Sequence, residues 1–230
     1  MTIPVAVASV SHNQIGQKLG RKGQETRERI LSAMLRLLDD PDGPPVTLTS
    51  VANEASIRLT NLYLYFPDIG QLLLAALVRV MDTAGASYLD RLAQRWPDEL
   101  LEQCCLDFLT AHYEFWKRNA RILHMRNALA DANDLRVMTY RNTATEPLID
   151  LLAAQMDCPP DEDEDGRSTQ VAIVLLTGLE RVATVVTNPH FVLISRKKAA
   201  IDRENFVAGL LAAEAEVIAN AIRHRRAALA

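Results

Sequence analysis

Arg58, Asn61 and Tyr65 recur at i, i+3 and i+7, with Thr60 and Tyr63 beside them, so on a helix they share one polar side. Together they offer a guanidinium fork that suits a guanine edge or a phosphate, and an amide that suits adenine. Their hydroxyls can reach phosphate oxygens. Leu62 and Phe66, four apart, form the neighbouring apolar stripe with Leu59 and would anchor such a helix to a core. Tyr63 and Tyr65 cannot both join that stripe, so at least one is exposed. The chemistry these types allow is recognition of nucleic acid rather than bond making. A helical hairpin using its aromatics only as core accounts for Leu62 and Phe66, but not for an exposed tyrosine among polar neighbours.

The elements that would position these residues are legible around them. Thr47 can cap a short helix carrying Leu48, Val51, Ala52 and Ala55 at helical spacing. Ser56-Ile57 interrupts it. A second short helix is predicted from about Arg58 to Phe66, ended by Pro67, which pushes the preceding residue out of helical geometry. Two short helices joined by a tight turn describe a helix-turn-helix, whose second helix can enter the DNA major groove. Upstream, Lys18, Arg21, Lys22, Arg27, Arg29 and Arg36 face only Glu25 and Glu28, a local excess of positive charge in a chain of net charge −4. A basic arm before such a motif can follow phosphates or enter the minor groove.

The segment from about Arg27 to Leu77 resembles the N-terminal domain of the TetR family of bacterial transcriptional regulators. The resemblance rests on Val51-Ala52-Asn53-Glu54-Ala55, the Ser56-Ile57 turn, and Leu62-Tyr63-Leu64-Tyr65-Phe66-Pro67. It implies that Tyr63 and Tyr65 sit where phosphate is commonly contacted, and Thr49 and Ser50 where a base or backbone contact is often made. The expected DNA-facing set is Thr47, Thr49, Ser50, Arg58, Leu59, Thr60, Asn61, Tyr63 and Tyr65, with Lys22 and Arg27 from the arm. Three positions depart from the family pattern: Ser56 replaces the turn glycine, Leu59 a residue often basic, and Ile69 a lysine often found after Phe-Pro. Ser56 must then tolerate a strained backbone or a different turn.

The remainder is helical in period. An all-α fold of about nine helices is expected: a flexible arm over residues 1–23, a three-helix helix-turn-helix domain over 24–70, and a larger helical domain over 71–230. One long helix is predicted from about Asp68 to Arg95, broken at Trp96-Pro97, and the segment from Asn133 to Met156 should kink at Pro147. Residues 157–167, with two prolines and a run of acids, read as a solvated loop. A second loop is expected over 188–202, where Phe191 to Ile194 is an isolated strand candidate.

In the larger domain the resemblance implies an effector pocket and a dimer interface. Candidate pocket residues are Phe108, His112, Phe115, Trp116, Met125, Met138 and Tyr140, with Thr177, Glu180 and Arg181; the same types also make ordinary core. The last two helices carry apolar stripes wider than one seam, including Val171, Val174, Leu175, Gly178 and Val182, then Phe206, Leu210, Val217 and Ile218. By resemblance these form a four-helix homodimer interface, and a two-fold dimer matches a palindromic operator.

No serine-histidine-aspartate set, paired-carboxylate motif, glycine-rich phosphate loop or metal-ligand spacing is found, so no enzyme activity, cofactor or metal is expected. Cys104, Cys105 and Cys158 suggest no disulfide framework. Residues 3–10 are apolar but too short to span a membrane. A cytoplasmic repressor binding double-stranded DNA and an unidentified small molecule, with no membrane partner, is the leading expectation. The alternative is a helical small-molecule-binding protein or adaptor without specific DNA binding.

Overall fold

The structure, a computed structural model, describes residues 19–159, 161–191 and 203–229. Among these the protein is all-helical, with no strand. In chain order the helices are α1 (Arg21–Asp39), α2 (Leu48–Glu54), α3 (Leu59–Leu62), α4 (Ile69–Met81), α5 (Ala84–Ser87), α6 (Leu101–Arg118), α7 (Ala120–Asp131), α8 (Leu135–Ala154), α9 (Arg167–Val186) and α10 (Arg203–Leu229). Short 3-10 turns occupy Leu89–Leu92 and Asp98–Leu100. The described residues divide into two compact units, one of residues up to 82 with 121–144, the other of 83–120 with 145 onward. The strand candidate beyond Phe191 and the arm before residue 19 lie outside the described residues.

In the first unit, α1 packs on α2 and α4 and buries Ile30, Leu31, Ala33 and Met34, as Val51, Ala52, Leu62, Phe66, Leu72 and Leu77 are buried in turn. The helix begins at Arg21, so the last residues of the expected flexible arm are already wound. Arg36 ties α1 to α2 through Glu54 at 2.8 Å, and Arg79 of α4 pairs with Glu28 of α1. A helix leaves its last carbonyls unpaired. Here Arg121 of α7 satisfies that end, donating to the carbonyls of Leu37 at 2.6 Å, Pro44 at 2.7 Å, Gly43 at 3.1 Å and also Asp40.

The start of α4 is built as tightly. Asp68 caps it by accepting from the Gln71 amide at 2.8 Å, and Arg136 grips the same carboxylate at 2.9 and 3.1 Å. Arg136 also donates to Asp134 at 2.8 Å. Gly70 makes this closeness possible, since a Cβ there would stand 2.6 Å from Asp134 Oδ2 and 3.0 Å from Arg136 Nη2. The guanidinium is the largest influence on Asp68 and holds its carboxyl below the usual carboxylate range.

The predicted long helix from Asp68 to Arg95 does not form. The chain leaves α4 at Met81, and Asp82, Thr83 and Gly85 are weak helix formers. Beyond them the chain makes the single turn of α5 and then the 3-10 turn Leu89–Leu92. The break is held by side chains. The Trp96 indole donates to the Arg91 carbonyl at 2.8 Å, and Gln155 accepts from the Trp96 amide at 2.9 Å. The Gln155 amide in turn donates to the carbonyls of Leu92 and Gln94.

The second unit packs α10 against α6 and α9 around Leu109, Phe108, Leu179, Ile218 and Ile222. Arg226, the one buried guanidinium among the described residues of this unit, donates to the carbonyls of Gln155 at 2.8 Å and Trp96 at 3.0 Å and pairs with Asp98. The acidic segment before Arg167 is a loop with Asp161, Glu162, Glu164 and Asp165 exposed, as expected, but it is tied down at three points. Asp157 pairs with Arg95, Cys158 is buried, and Asp163 turns back to accept from the amides of Ser168 at 3.1 Å and Thr169 at 2.8 Å. The acids are needed there because the first amides of α9 have no partner within the helix. Pro147 lies inside α8. By length and composition alone α9 and α10 could cross a membrane, a test that core helices of water-soluble proteins also pass.

Candidate nucleic-acid interface

Local sequence explains how the polar side of α3 is presented. Thr47 opens α2 with a reciprocal cap: its hydroxyl accepts from the Ser50 amide at 3.1 Å, while the Ser50 hydroxyl accepts from the Thr47 amide at 2.9 Å. The helix closes with a left-handed residue. Ser56 has φ of 53°, its amide donates to Asn53, and the Ile57 amide donates back to Ala52 at 2.9 Å. This is the bond pattern of a Schellman closure, usually built on glycine. The turn therefore keeps its left-handed geometry with serine in the glycine's place.

The helix expected over Arg58 to Phe66 is α-helical only through Leu59–Leu62. Tighter bonds continue the winding: Leu64 donates to Asn61 and Tyr65 to Leu62, and Phe66 completes it by donating to Leu62 at 3.0 Å. Pro67 next in line excludes further α geometry at Phe66. Leu62 and Phe66 are buried, and Leu59 is half-buried. Arg58, Thr60 and Asn61 are exposed, Tyr63 is 46% exposed, and Tyr65 is half-buried. Thr49 is exposed at the start of α2, whereas the hydroxyls of Thr47 and Ser50 are engaged in the cap.

The cations sort into two groups. Arg27 lies over the Phe66 ring at 5.2 Å, half-buried, and burial lowers its pKa. It is a packing element of this unit before it is anything else. Arg21 faces Glu25 at 3.5 Å, and Arg36 faces Glu54. Lys22, Arg29 and Arg58 are exposed and have no ion-pair partner among the described residues. Arg29, one of the basic residues the sequence places upstream of the motif, keeps its charge free on the outside of α1.

The pocket candidates are shared between the two units. Phe108, His112, Phe115 and Trp116 are buried along α6, where Tyr88 meets the His112 ring edge-on at 5.0 Å and Phe115 at 5.2 Å. Met125, Met138 and Tyr140 belong to the other unit, and Thr177 and Arg181 are exposed on α9. The Tyr140 hydroxyl is buried without a hydrogen-bond partner, and burial pushes its pKa up. Among the described residues no three metal-binding side chains come together.

The dimer candidates divide by face. Val174 is 70% and Val217 59% exposed, and Gly178 and Phe206 are also exposed; Val171, Val182 and Leu210 are half-buried. Leu175 and Ile218 turn into the core of their own unit. Glu214 lies beside Gly178 on this face, and burial raises its carboxyl to about 7.

No protein-family model and no curated protein matches this chain. Among solved structures it is similar to a TetR-like transcriptional regulator from Rhodococcus sp. RHA1, with 22% identity over 86% of this chain and 96% of that one, at a TM-score of 0.45.

Proposed function

We propose that this chain is a dimeric DNA-binding transcriptional regulator, a repressor released from a palindromic operator by a small molecule bound in its larger helical part. The observation that carries this is the split of α3 and its flanks into two sides. Leu62 and Phe66 fix the backbone in the core while Arg58, Thr60, Asn61 and Tyr63 stand in solvent. Those exposed types are the ones that bind phosphates and base edges. Lys22, Arg29 and Arg58 add cations that no carboxylate of the described chain neutralises. The resemblance of Val51 to Pro67 to the TetR helix-turn-helix supports the same reading.

The exposed apolar stripe of α9 and α10 supports the homodimer, and a two-fold dimer would serve half-sites roughly 34–36 Å apart. Release by an effector requires a two-state element biased from both sites. A single rigid helix from Asp68 to Arg95 is not that element, since α4 ends at Met81.

The test is binding of purified protein to fragments of its own genome, including the region upstream of its coding sequence, at about 50 and 200 mM salt. Selective binding that weakens with salt is expected, and Arg58→Ala should cost about 1–3 kcal/mol. Equal weak binding to every fragment, or none, would overturn the DNA role and leave the helical small-molecule-binding protein or adaptor.

A further inference from the structure

A cavity of about 530 Å³ opens in the second unit between the segment carrying Ser87 and Arg91 and one side of α6. That volume is within the range of small-molecule sites. On α6 its wall runs through the exposed Asp107, Thr110, Glu114 and Arg118 and the half-buried Ala111, reaching the buried aromatic side at Phe115. It is a different place from the aromatic cluster the sequence singles out as effector pocket, and only Phe115 belongs to both.

What this cavity lacks defines what it takes. Its carboxylates are already engaged: Asp107 accepts from Gln103 Nε2 at 2.8 Å, and Glu114 faces Lys117 Nζ at 3.8 Å. Its guanidiniums are not, for neither Arg91 nor Arg118 has an ion-pair partner among the described residues. The hydroxyls are committed as donors. Ser87 donates to the Thr83 carbonyl at 2.7 Å and Thr110 to the Leu106 carbonyl at 2.8 Å, so each has only lone pairs to offer a ligand. Ala111 and Phe115 contribute the apolar part of the wall.

We propose that this cavity binds a small amino- or hydroxycarboxylate with an apolar body. Arg91 and Arg118 hold the carboxylate, whose two oxygens fit a guanidinium fork. The amine or hydroxyl of the ligand donates to Thr110 or Ser87. Its hydrocarbon part lies on Ala111 and Phe115. The site is formed within one unit and does not depend on DNA binding.

The experiment is calorimetric titration of the full chain with 3-phenyllactate and with phenylalanine, against methyl 3-phenyllactate and inorganic phosphate. Saturable binding of an acid, none of the ester, and a loss of about ten-fold or more in Arg91→Gln and Arg118→Gln are expected. Far-UV spectra and DNA retention of both variants should match the parent protein, which separates loss of this site from loss of fold. The proposal is overturned if neither acid binds, if the ester binds as well as the acid, or if the Arg91→Gln, Arg118→Gln double variant keeps the parent affinity. Phosphate binding where both acids fail also overturns it, leaving a bare anion site. Failure of the parent protein to retain any DNA fragment sinks the regulator and leaves these outcomes unchanged.

Discussion

Ser56 shows how one atom group sets the geometry of the candidate interface. Its φ of 53° is a conformation that costs an L-residue about 1–2 kcal/mol, because Cβ crowds the following carbonyl. Glycine removes that crowding but orders more backbone freedom on folding. The balance predicts that Ser56→Gly raises stability by about 0.5–1 kcal/mol, read as a higher urea midpoint at unchanged slope. Ser56→Val, β-branched at the same φ, should lower the midpoint instead. If both variants unfold at the parent midpoint, the turn is not strained as its geometry requires. The sequence signals this residue directly: a serine stands where the resemblance calls for glycine. Arg27 is the contrary case. Its place in a basic stretch suggests a phosphate contact, yet its guanidinium stacks on Phe66, a partner 39 positions away that no local pattern reveals.

At the scale of elements, legibility follows the range of the forces involved. Helix type and the Thr47 cap are set by neighbouring residues, and they stand as the sequence predicts. The long helix through Arg95 fails because distant side chains decide it, while the acidic segment is the solvated loop expected, with a local closure that its composition does not announce. Gln155 and Trp96 hold the broken chain after α5, and Asp163 closes the front of α9. Apolar periodicity reports one face of a helix, so it also passes over the polar side of α6 that lines the cavity. Asp163 offers a test at this scale. Burial opposes its ionisation, but the Thr169 and Ser168 amides with the Cys158 thiol outweigh it and bring the carboxyl to about 2. A depressed carboxyl contributes stability that is complete above its unfolded value of about 3.9. That contribution is lost as pH falls through about 2. Asp163→Ala should therefore cost about 1 kcal/mol between pH 5 and 7, as loss of a cap does. The difference in melting temperature between variant and parent should shrink below about pH 4. A difference independent of pH would show that the charge is not what closes α9.

For the molecule as a whole, the open question is what covers the second apolar side of α9 and α10. Each helix already buries one stripe in its own unit, through Leu175, Leu179, Ile218 and Ile222. Ile173, Val174, Phe206 and Val217 then remain in solvent, beside the small residues Gly178, Gly209 and Ala213 that let another helix approach closely. Under the proposed function a second copy of this chain would meet that need, two-fold symmetry being the commonest closed arrangement. Glu214 of α10 and Arg181 of α9 are charged groups on this side. With its carboxyl raised to about 7, Glu214 carries a proton for part of the time at neutral pH, which lessens the penalty of covering it. Sedimentation equilibrium of the parent protein should give the dimer. The Val174→Arg, Val217→Arg variant should sediment as monomer with an unchanged far-UV spectrum, because four guanidiniums per dimer would have to lose water without partners. Its binding to a palindromic DNA site should weaken along with dimerisation, since each half-site would be held alone. A double variant that stays dimeric would move the interface elsewhere. A parent protein that is monomeric at all concentrations would remove the dimer, and with it the two-fold match to an operator.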